Sequence, residues 1–290
     1  MITRRKFIIN TSLAAATVLA LPSFAFTMDK KEIGLQLYTL RDELPKDVKS
    51  ILEKVAKSGY KTVETYGFYI KDQFWGLNPV ELKKILDANN LKALSGHYNL
   101  GSFLYDGNTE ELIAAIEAAR ILKSEFLTIP WVDEPFRRNI QDYKKIASRL
   151  NEAAAMCQKA GLKLAYHNHD FEFQQHDGTT GYEILLKETD KDLVYFELDL
   201  YWVVRSGNDP LKLFAANPGR FKLWHVKDMD KANPALNTEI GSGSIDFKTI
   251  FKQAKESGMK HFFVEQENNY NPGTFEAIKT SSDFISKNLI

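Results

Sequence analysis

The sequence alternates between short apolar segments and longer segments with helical spacing, and the alternation repeats eight times. The apolar segments are rich in Val, Ile, Leu, Phe and Tyr, as buried parallel strands are. They span residues 32–40, 61–67, 91–98, 125–131, 162–169, 193–200, 220–228 and 260–267. The amphipathic segments between them predict helices, and several end in Gly. Eight such units predict a single (β/α)8 TIM barrel, which we assign to residues 26–290 as one catalytic domain.

A doubly wound open sheet is the main alternative fold for such an alternation. It is disfavoured because no Gly-rich nucleotide-binding loop follows the first predicted strand. The sequence also contains no long linker or low-complexity tract, so one domain is expected. Its 290 residues are 44% hydrophobic, which suffices for one sizeable core.

Residues 1–25 have the pattern of a cleaved signal peptide. Basic residues in TRRKFII precede an uncharged apolar run, TSLAAATVLALPSFA, that ends in small residues. This run is shorter than the roughly 20 apolar residues of a membrane span, so no stable membrane anchor is expected. Arg4 and Arg5 stand before the run, which resembles the twin-arginine export signal. We therefore expect an exported, periplasmic protein.

Charge and cysteine content limit the function classes. Lys plus Arg and Asp plus Glu each number 38, so the formal net charge at pH 7 is zero. A balanced charge without a basic run argues against a nucleic-acid partner and against endonuclease activity. The single cysteine, Cys157, excludes a disulfide framework and a multi-cysteine zinc site. The oligomeric state stays open, with a homo-oligomer among the alternatives.

Charged and imidazole side chains gather where the apolar segments end. The strand-to-helix loops of a barrel meet at one mouth, so these side chains should lie close together. Side chains two residues apart on a strand share a face, so one strand end can direct both His167 and His169 into the mouth. The same spacing relates Glu197 to Asp199, His225 to Lys227, and Glu265 to Glu267. Glu64 and His97 end two earlier strands.

These side chains predict one divalent metal ion as cofactor. Oxygen and nitrogen donors without thiolate suit Mn²⁺, Mg²⁺, Co²⁺ or Zn²⁺, and the sequence does not choose among them. Burying so many ionisable groups without an ion is costly unless they pair with one another. Two aromatic residues near strand ends, Trp131 and Trp202, suit the C–H faces of a carbohydrate, although packing is the commoner role of such residues.

Four motifs together resemble the xylose isomerase-like barrel superfamily, in its sugar phosphate isomerase/epimerase branch. They are YHNHDFEF at the fifth strand, ELDLYWVVRSG at the sixth, WHVKD at the seventh and FVEQE at the eighth, with GSGSIDF between the last two. The resemblance covers the whole mature chain. It implies a metal site formed by Glu172, Asp199, His225 and Glu265.

The ligand from the fifth strand is the one departure from the family pattern. Sugar epimerases of the family place this Glu within the strand, where the present sequence has Ala165, Tyr166 or His167. Glu172 matches only if the ligand comes from the following turn. His167 or His169 is therefore an alternative or additional ligand.

The chemistry that the resemblance implies is proton abstraction beside a sugar carbonyl, through a metal-stabilised enediolate. An isomerase or epimerase is the first expectation, and a lyase or dehydratase acting on a keto-sugar or 3-keto-glycoside is the alternative. A non-catalytic sugar-binding protein is the weakest reading. The expected partner is a small-molecule carbohydrate. The candidate catalytic residues are His167, His169, Glu172, Lys227 and Glu265, and the candidate substrate-binding residues are Glu64, His97, Trp131, Trp202 and Glu267.

Overall fold

The computed structural model describes residues 31–290. The expected signal peptide, residues 1–25, and the first residues of the expected barrel domain lie outside these residues, so export stays a prediction. Within residues 31–290, no helix is both long enough and apolar enough to cross a membrane.

Eight parallel strands form a nearly closed barrel, which confirms the predicted fold class. The strands are β1 Gly34–Gln36, β2 Thr62–Thr65, β3 Lys92–Gly96, β4 Phe126–Ile129, β5 Lys163–His167, β6 Val194–Asp199, β7 Phe221–Val226 and β8 His261–Val264. Neighbours in sequence are neighbours in the sheet, and β8 pairs with β1. Between β3 and β4 the pairing reduces to a bridge of His97 with Thr128, where the Tyr98 N–H donates to the Thr128 carbonyl at 2.9 Å.

Helices follow the strands and cover the outside of the barrel. They are α1 Val48–Lys57, α2 Pro79–Ala88, α3 Gly101–Asp106, α4 Glu110–Leu122, α5 Ile140–Lys159, α6 Gly181–Glu188, α7 Leu200–Arg205, α8 Pro210–Ala216, α9 Phe247–Lys252, α10 Ala254–Ser257 and α11 Thr274–Asn288. Side chains fix several helix starts, because the first backbone N–H groups of a helix lack partners within it. Asn78 and Thr180, for example, form capping boxes with Glu81 and Glu183.

A small apolar layer fills the interior of the barrel beneath the polar strand ends. It consists of Phe126, Ala165, Leu223 and Phe263, all fully buried. Ala165, Leu223 and Phe263 each precede a polar strand-end residue by two positions, so the two side chains share the inward face. The period of two thus places His167, His225 and Glu265 directly above this apolar layer.

The strands end earlier than the apolar segments of the sequence, and β1 shows why. The Leu37–Leu40 segment forms a 3-10 turn instead of continuing β1, because the Gln36 side chain accepts the Tyr38 N–H at 2.9 Å. Similar irregular segments follow β2, β5 and β7, where short antiparallel hairpins form. The loops after the strands therefore have enough length to build walls around the mouth.

Candidate active site

A buried group of three side chains at the ends of β6, β7 and β8 has the spacing of metal ligands. Asp199, His225 and Glu265 each offer one ligand atom, and these atoms lie within 4.8 Å of one another. His225 Nδ1 is 3.2 Å from Glu265 Oε2 and 4.0 Å from Asp199 Oδ2. Asp199 Oδ1 caps α7 by accepting the Trp202 N–H at 3.0 Å. Asp199 Oδ2 is buried and has no hydrogen-bond partner within residues 31–290, which leaves it able to bind a metal ion.

His225 belongs to this group and His167 adjoins it. Each directs one ring nitrogen toward Asp199 and the other toward a second carboxylate, that of Glu64 or Glu197. His225 Nε2 is 2.6 Å from Glu64 Oε2, which leaves Nδ1 toward Asp199 and Glu265. His167 Nδ1 is 3.2 Å from Glu197 Oε2, and His167 Nε2 is 4.0 Å from Asp199 Oδ2. Metal-bound histidines commonly donate their other N–H to a carboxylate, which orients the ring. The geometry therefore favours His167 as the fourth ligand, from β5.

A second group of possible ligands lies deeper and is better explained by hydrogen bonding. His97, His167, Glu197 and His225 also meet the spacing of a metal site. Glu197 Oε2, however, lies 2.7 Å from His97 Nε2 and 3.2 Å from both His167 Nδ1 and His225 Nε2. One carboxylate oxygen that accepts from several ring nitrogens acts as an anchor for the histidines. Glu197 and Glu64 are therefore assigned to orienting the rings.

Charges within the cluster stabilise one another. Burial opposes the protonated form of His97, but the carboxylates of Glu64 and Glu197 raise its pKa to about 9. Burial likewise opposes a charged His225, while Glu197 and Glu265 raise its pKa well above the usual value. Burial and the nearby Glu64 raise the pKa of Glu197 to about 7. His225 is a candidate ligand, so a metal ion must compete with its proton, and metal binding should release that proton and strengthen with rising pH.

Lys227 lies against the same carboxylates from the end of β7. Its Nζ donates to Glu265 Oε2 at 2.8 Å and also contacts the carboxylate of Glu267. Nζ lies 3.5 Å from Asp199 Oδ2. Burial opposes its charge, but Glu265 and Asp199 raise the pKa of Lys227 well above its usual value. These carboxylates therefore favour the charged ammonium form of Lys227.

His169 is a neutral imidazole at the floor of the mouth. Its ring stacks on Phe171 at a centroid distance of 5.5 Å and meets Trp131 edge-on at 5.0 Å. Burial, followed by the charge of Lys227, lowers the pKa of His169 to about 3. Among the described residues, none hydrogen-bonds to its Nδ1, although that atom is buried. His169 lines the cavity, and a neutral imidazole in that position is a candidate for proton transfer.

Glu172 lies away from both candidate metal groups, behind β5. Its Oε1 accepts the Tyr166 O–H at 2.7 Å, and its Oε2 accepts the His169 N–H at 2.8 Å. Tyr166 alternates with His167 along β5 and therefore points to the outer face of the barrel. Burial is the main cause that raises the pKa of Glu172 to about 7. Its sequence-based assignment as ligand or base stays a prediction, while these contacts favour a role in holding the His169 backbone.

Two substitutions of Glu172 distinguish these roles. Glu172→Gln should keep the ion bound, because an amide can accept the His169 N–H and donate to the Tyr166 oxygen. Glu172→Ala should lower the free energy of unfolding by about 2 to 4 kcal/mol, because two buried donors lose their acceptor. Denaturant unfolding and metal content of both variants measure the effects. Loss of the ion from Glu172→Gln with an intact fold would restore Glu172 as a metal ligand.

The cluster opens into a cavity of about 1030 Å³ at the mouth of the barrel. Four of the five predicted substrate-binding residues line it, namely His97, Trp131, Trp202 and Glu267, whereas Glu64 is buried beneath it. Six further residues line the cavity without having been predicted as site residues, namely Tyr38, Arg41, Tyr66, Trp75, Arg137 and Phe171. Arg41, Trp75, Arg137 and Phe171 lie outside the predicted strands and carry no periodic signal, whereas Tyr38 and Tyr66 lie within two of the predicted strands. Glu197 was also not predicted as a site residue, although it stands two positions before Asp199 and both side chains therefore lie on one face of β6.

Comparisons with known proteins agree with this architecture. The sequence profile described as xylose isomerase-like TIM barrel matches residues 52–287. Inosose dehydratase of Clostridium botulinum (strain Alaska E43 / Type E3) is 26% identical over 278 residues, which cover 82% of this chain and 90% of that protein. The inosose dehydratase of Lacticaseibacillus casei is 27% identical over 257 residues, with 77% and 83% covered.

Solved structures show the same likeness. A sugar phosphate isomerase/epimerase from Parabacteroides distasonis is 30% identical, has a TM-score of 0.78, and covers 89% of this chain and 98% of its own. An IOLI protein with a bound zinc atom is 17% identical with a TM-score of 0.69, covering 89% of this chain and 99% of its own. At that lower identity the likeness shows the shared fold alone.

Proposed function

Because the chain belongs to the xylose isomerase-like TIM barrel family, we propose that it is a divalent-metal-dependent sugar isomerase or epimerase. Its reaction begins with removal of a proton from the carbon beside a carbonyl group. The observation that carries the proposal is Asp199 Oδ2, which has no hydrogen-bond partner within residues 31–290 and lies 4.0 Å from a ring nitrogen of His167 and of His225. A neutral His169 stands beside this group at the same cavity.

The donor set fits a single divalent ion. His167, Asp199, His225 and Glu265 would hold it with two imidazoles and two carboxylates. Such a mixed set favours Zn²⁺, Co²⁺ or Mn²⁺ over Mg²⁺, which prefers oxygen ligands. When bound, the ion supplies positive charge that stabilises negative charge developing on the substrate oxygens.

The remaining polar residues supply proton transfer and orientation. His169 accepts the proton, because its imidazole is neutral and lines the cavity. Lys227 is buried, and its Nζ orients the carboxylates of Glu265 and Glu267 through hydrogen bonds. Glu64 and Glu197 keep the rings of His225 and His167 in place through hydrogen bonds.

A dehydratase or lyase is the second candidate, in which proton removal is followed by loss of a substituent from the next carbon. Relatives that cover 82% and 77% of this chain bear the name inosose dehydratase. In addition, both carboxylate oxygens of Glu172 are engaged, by Tyr166 and His169. Glu172 is then not free to return a proton to the opposite face of the substrate. Epimerisation would require a proton donor at that face in addition to His169.

Proton exchange in deuterated water tests the proposal. Protein loaded with Zn²⁺, Co²⁺ or Mn²⁺ is incubated with keto-sugars, inososes and 3-keto-glycosides, and NMR follows the carbon beside the carbonyl. We expect metal-dependent deuterium incorporation at that carbon with at least one of these ketones. An isomer or epimer as product supports the first candidate, and loss of the β-substituent supports the second. Absence of exchange with every ketone, by fully metal-loaded protein, would refute both.

A further inference from the structure

One side of the mouth carries an aromatic wall on the loops after β1 and β2. This first wall consists of Tyr38, Tyr66 and Trp75, and all three line the cavity. The Tyr38 and Tyr66 rings meet edge-on at 5.2 Å, and Trp75 packs on Tyr66 at 5.2 Å. Trp75 has a φ of 52°, a left-handed conformation that is uncommon for an aromatic residue. Such a conformation persists only where surrounding contacts maintain it, and it is found preferentially at functional sites.

A second wall stands on the loops after β4, β5 and β6. It consists of Trp131, Phe171 and Trp202, grouped around His169. Trp202 lies in α7, three residues after the candidate ligand Asp199, and its N–H donates to Asp199 Oδ1, so this wall adjoins the metal group. A sugar ring whose carbonyl lies at the metal group would rest its apolar face against Trp131, which is 41% exposed, because the Phe171 ring already packs against His169 and Arg137.

The two walls face each other across the mouth. In a barrel of eight strands paired in sequence order, β1 lies opposite β5 and β2 lies opposite β6. The polar floor between the walls includes His97, Glu265 and Glu267. Arg41 connects the polar floor to the first wall. It donates to the Glu267 carbonyl at 2.6 Å, and the carbon of its guanidinium lies 4.8 Å from the centre of the Tyr38 ring.

Among residues 31–290, the arginines that line the mouth do not converge into a phosphate clamp. Arg41 lies at the first wall and is engaged by the carbonyls of Glu267 and Tyr38. Arg137 lies at the second wall, with its guanidinium 3.5 Å from the centre of the Phe171 ring. Asp170 and Glu267 add negative charge to the same cavity. Two separated arginine side chains with acidic neighbours suit a neutral ligand better than a sugar phosphate.

From these features we propose that the substrate is a glycoside with two rings. Its oxidised sugar ring binds at the second wall beside the metal group, and the ring attached through the glycosidic bond stacks on the first wall. A cavity of about 1030 Å³ is at the upper end of the usual size for small-molecule sites. This inference rests on the proposed function, because that function places the reacting ring.

Binding of matched glycosides tests the first wall without requiring turnover. Calorimetry compares zinc-loaded protein with methyl glucosides and galactosides, the corresponding phenyl glycosides, and cellobiose, maltose and trehalose. We expect at least one two-ring ligand to bind about 10-fold more tightly than the methyl glycoside of the same sugar, as stacking on aromatic rings provides. Tyr38→Ala should abolish most of this difference and leave the affinity for the methyl glycoside unchanged.

Two control variants isolate the effect. Phe136→Ala removes an aromatic ring that is 39% exposed, as Tyr38 is, but lies outside the mouth cavity, and should change neither affinity. Trp131→Ala should weaken both ligands by the same factor, because it belongs to the second wall. Equal affinities for one-ring and two-ring ligands, or no glycoside binding at all, would overturn the inference. Deuterium exchange with single-ring ketones tests the proposed function separately. Its result would not change if the two-ring inference were overturned.

Discussion

Asp199→Asn should remove the metal ion from the purified protein while leaving its fold intact. The remaining side-chain oxygen can still accept the Trp202 N–H and cap α7, as Oδ1 does in the native chain. The amide nitrogen then occupies the position of Oδ2, where it presents N–H groups instead of a negative oxygen to the ion. Loss of a direct ligand should exceed the 10- to 100-fold weakening that is typical when an outer hydrogen-bond partner is lost. Deuterium exchange should fall with metal content.

Metal analysis after dialysis against a weak chelator measures this effect, and His225→Ala should behave in the same way. Asp170→Ala is the matched control, because it removes a carboxylate from the same cavity but from outside the candidate metal groups. It should retain about one ion per chain, as the ligand set implies. Full metal occupancy in both Asp199→Asn and His225→Ala would refute the assignment of the metal group.

The second large effect separates two histidines that share one face of the β5 end. His167→Asn should weaken metal binding, because Nε2 of His167 faces Asp199 Oδ2 and its Nδ1 is held by Glu197. His169→Asn should retain the ion and lower the rate of deuterium exchange by about 10²-fold or more, as loss of a general base does. Metal content and exchange rate, measured on the same preparations, distinguish the two roles.

The opposite pattern would exchange these roles. Loss of the ion from His169→Asn and its retention by His167→Asn would make His169 the β5 ligand. Exchange at the native rate in both variants would remove YHNHDFEF from the mechanism and leave proton transfer to Lys227 or Glu267. Circular dichroism of each variant checks that the native fold is kept.

The eight strands could be predicted because their signal is local. Runs of apolar residues separated by amphipathic helices occur in every unit, and all eight predicted strands are confirmed. The period of two along a strand also related His225 to Lys227 and His167 to His169 before any tertiary contact was known. These pairs do meet at one mouth, where Lys227 contacts Glu265.

Loop residues could not be placed in this way. Glu172 and Glu265 are both glutamates that follow a strand, yet Glu172 turns behind β5 to accept from Tyr166. The direction of a turn depends on the helices that it packs against, and no spacing rule encodes that direction. The first aromatic wall was missed for the same reason, because the hairpin after β2 brings Trp75 to Tyr66.

By itself, the sequence determined the barrel, the identity of its strand ends, and the inward face that carries imidazoles and carboxylates. Those properties follow from hydrophobic periodicity, which each segment expresses without reference to the others. Only the tertiary structure decided which nitrogen of His225 faces Asp199, that Glu197 anchors the rings of three histidines, and that two aromatic walls oppose each other. Such features depend on strand register, barrel closure and loop packing. These are contacts between residues far apart in the chain, and they form only when the whole barrel has assembled.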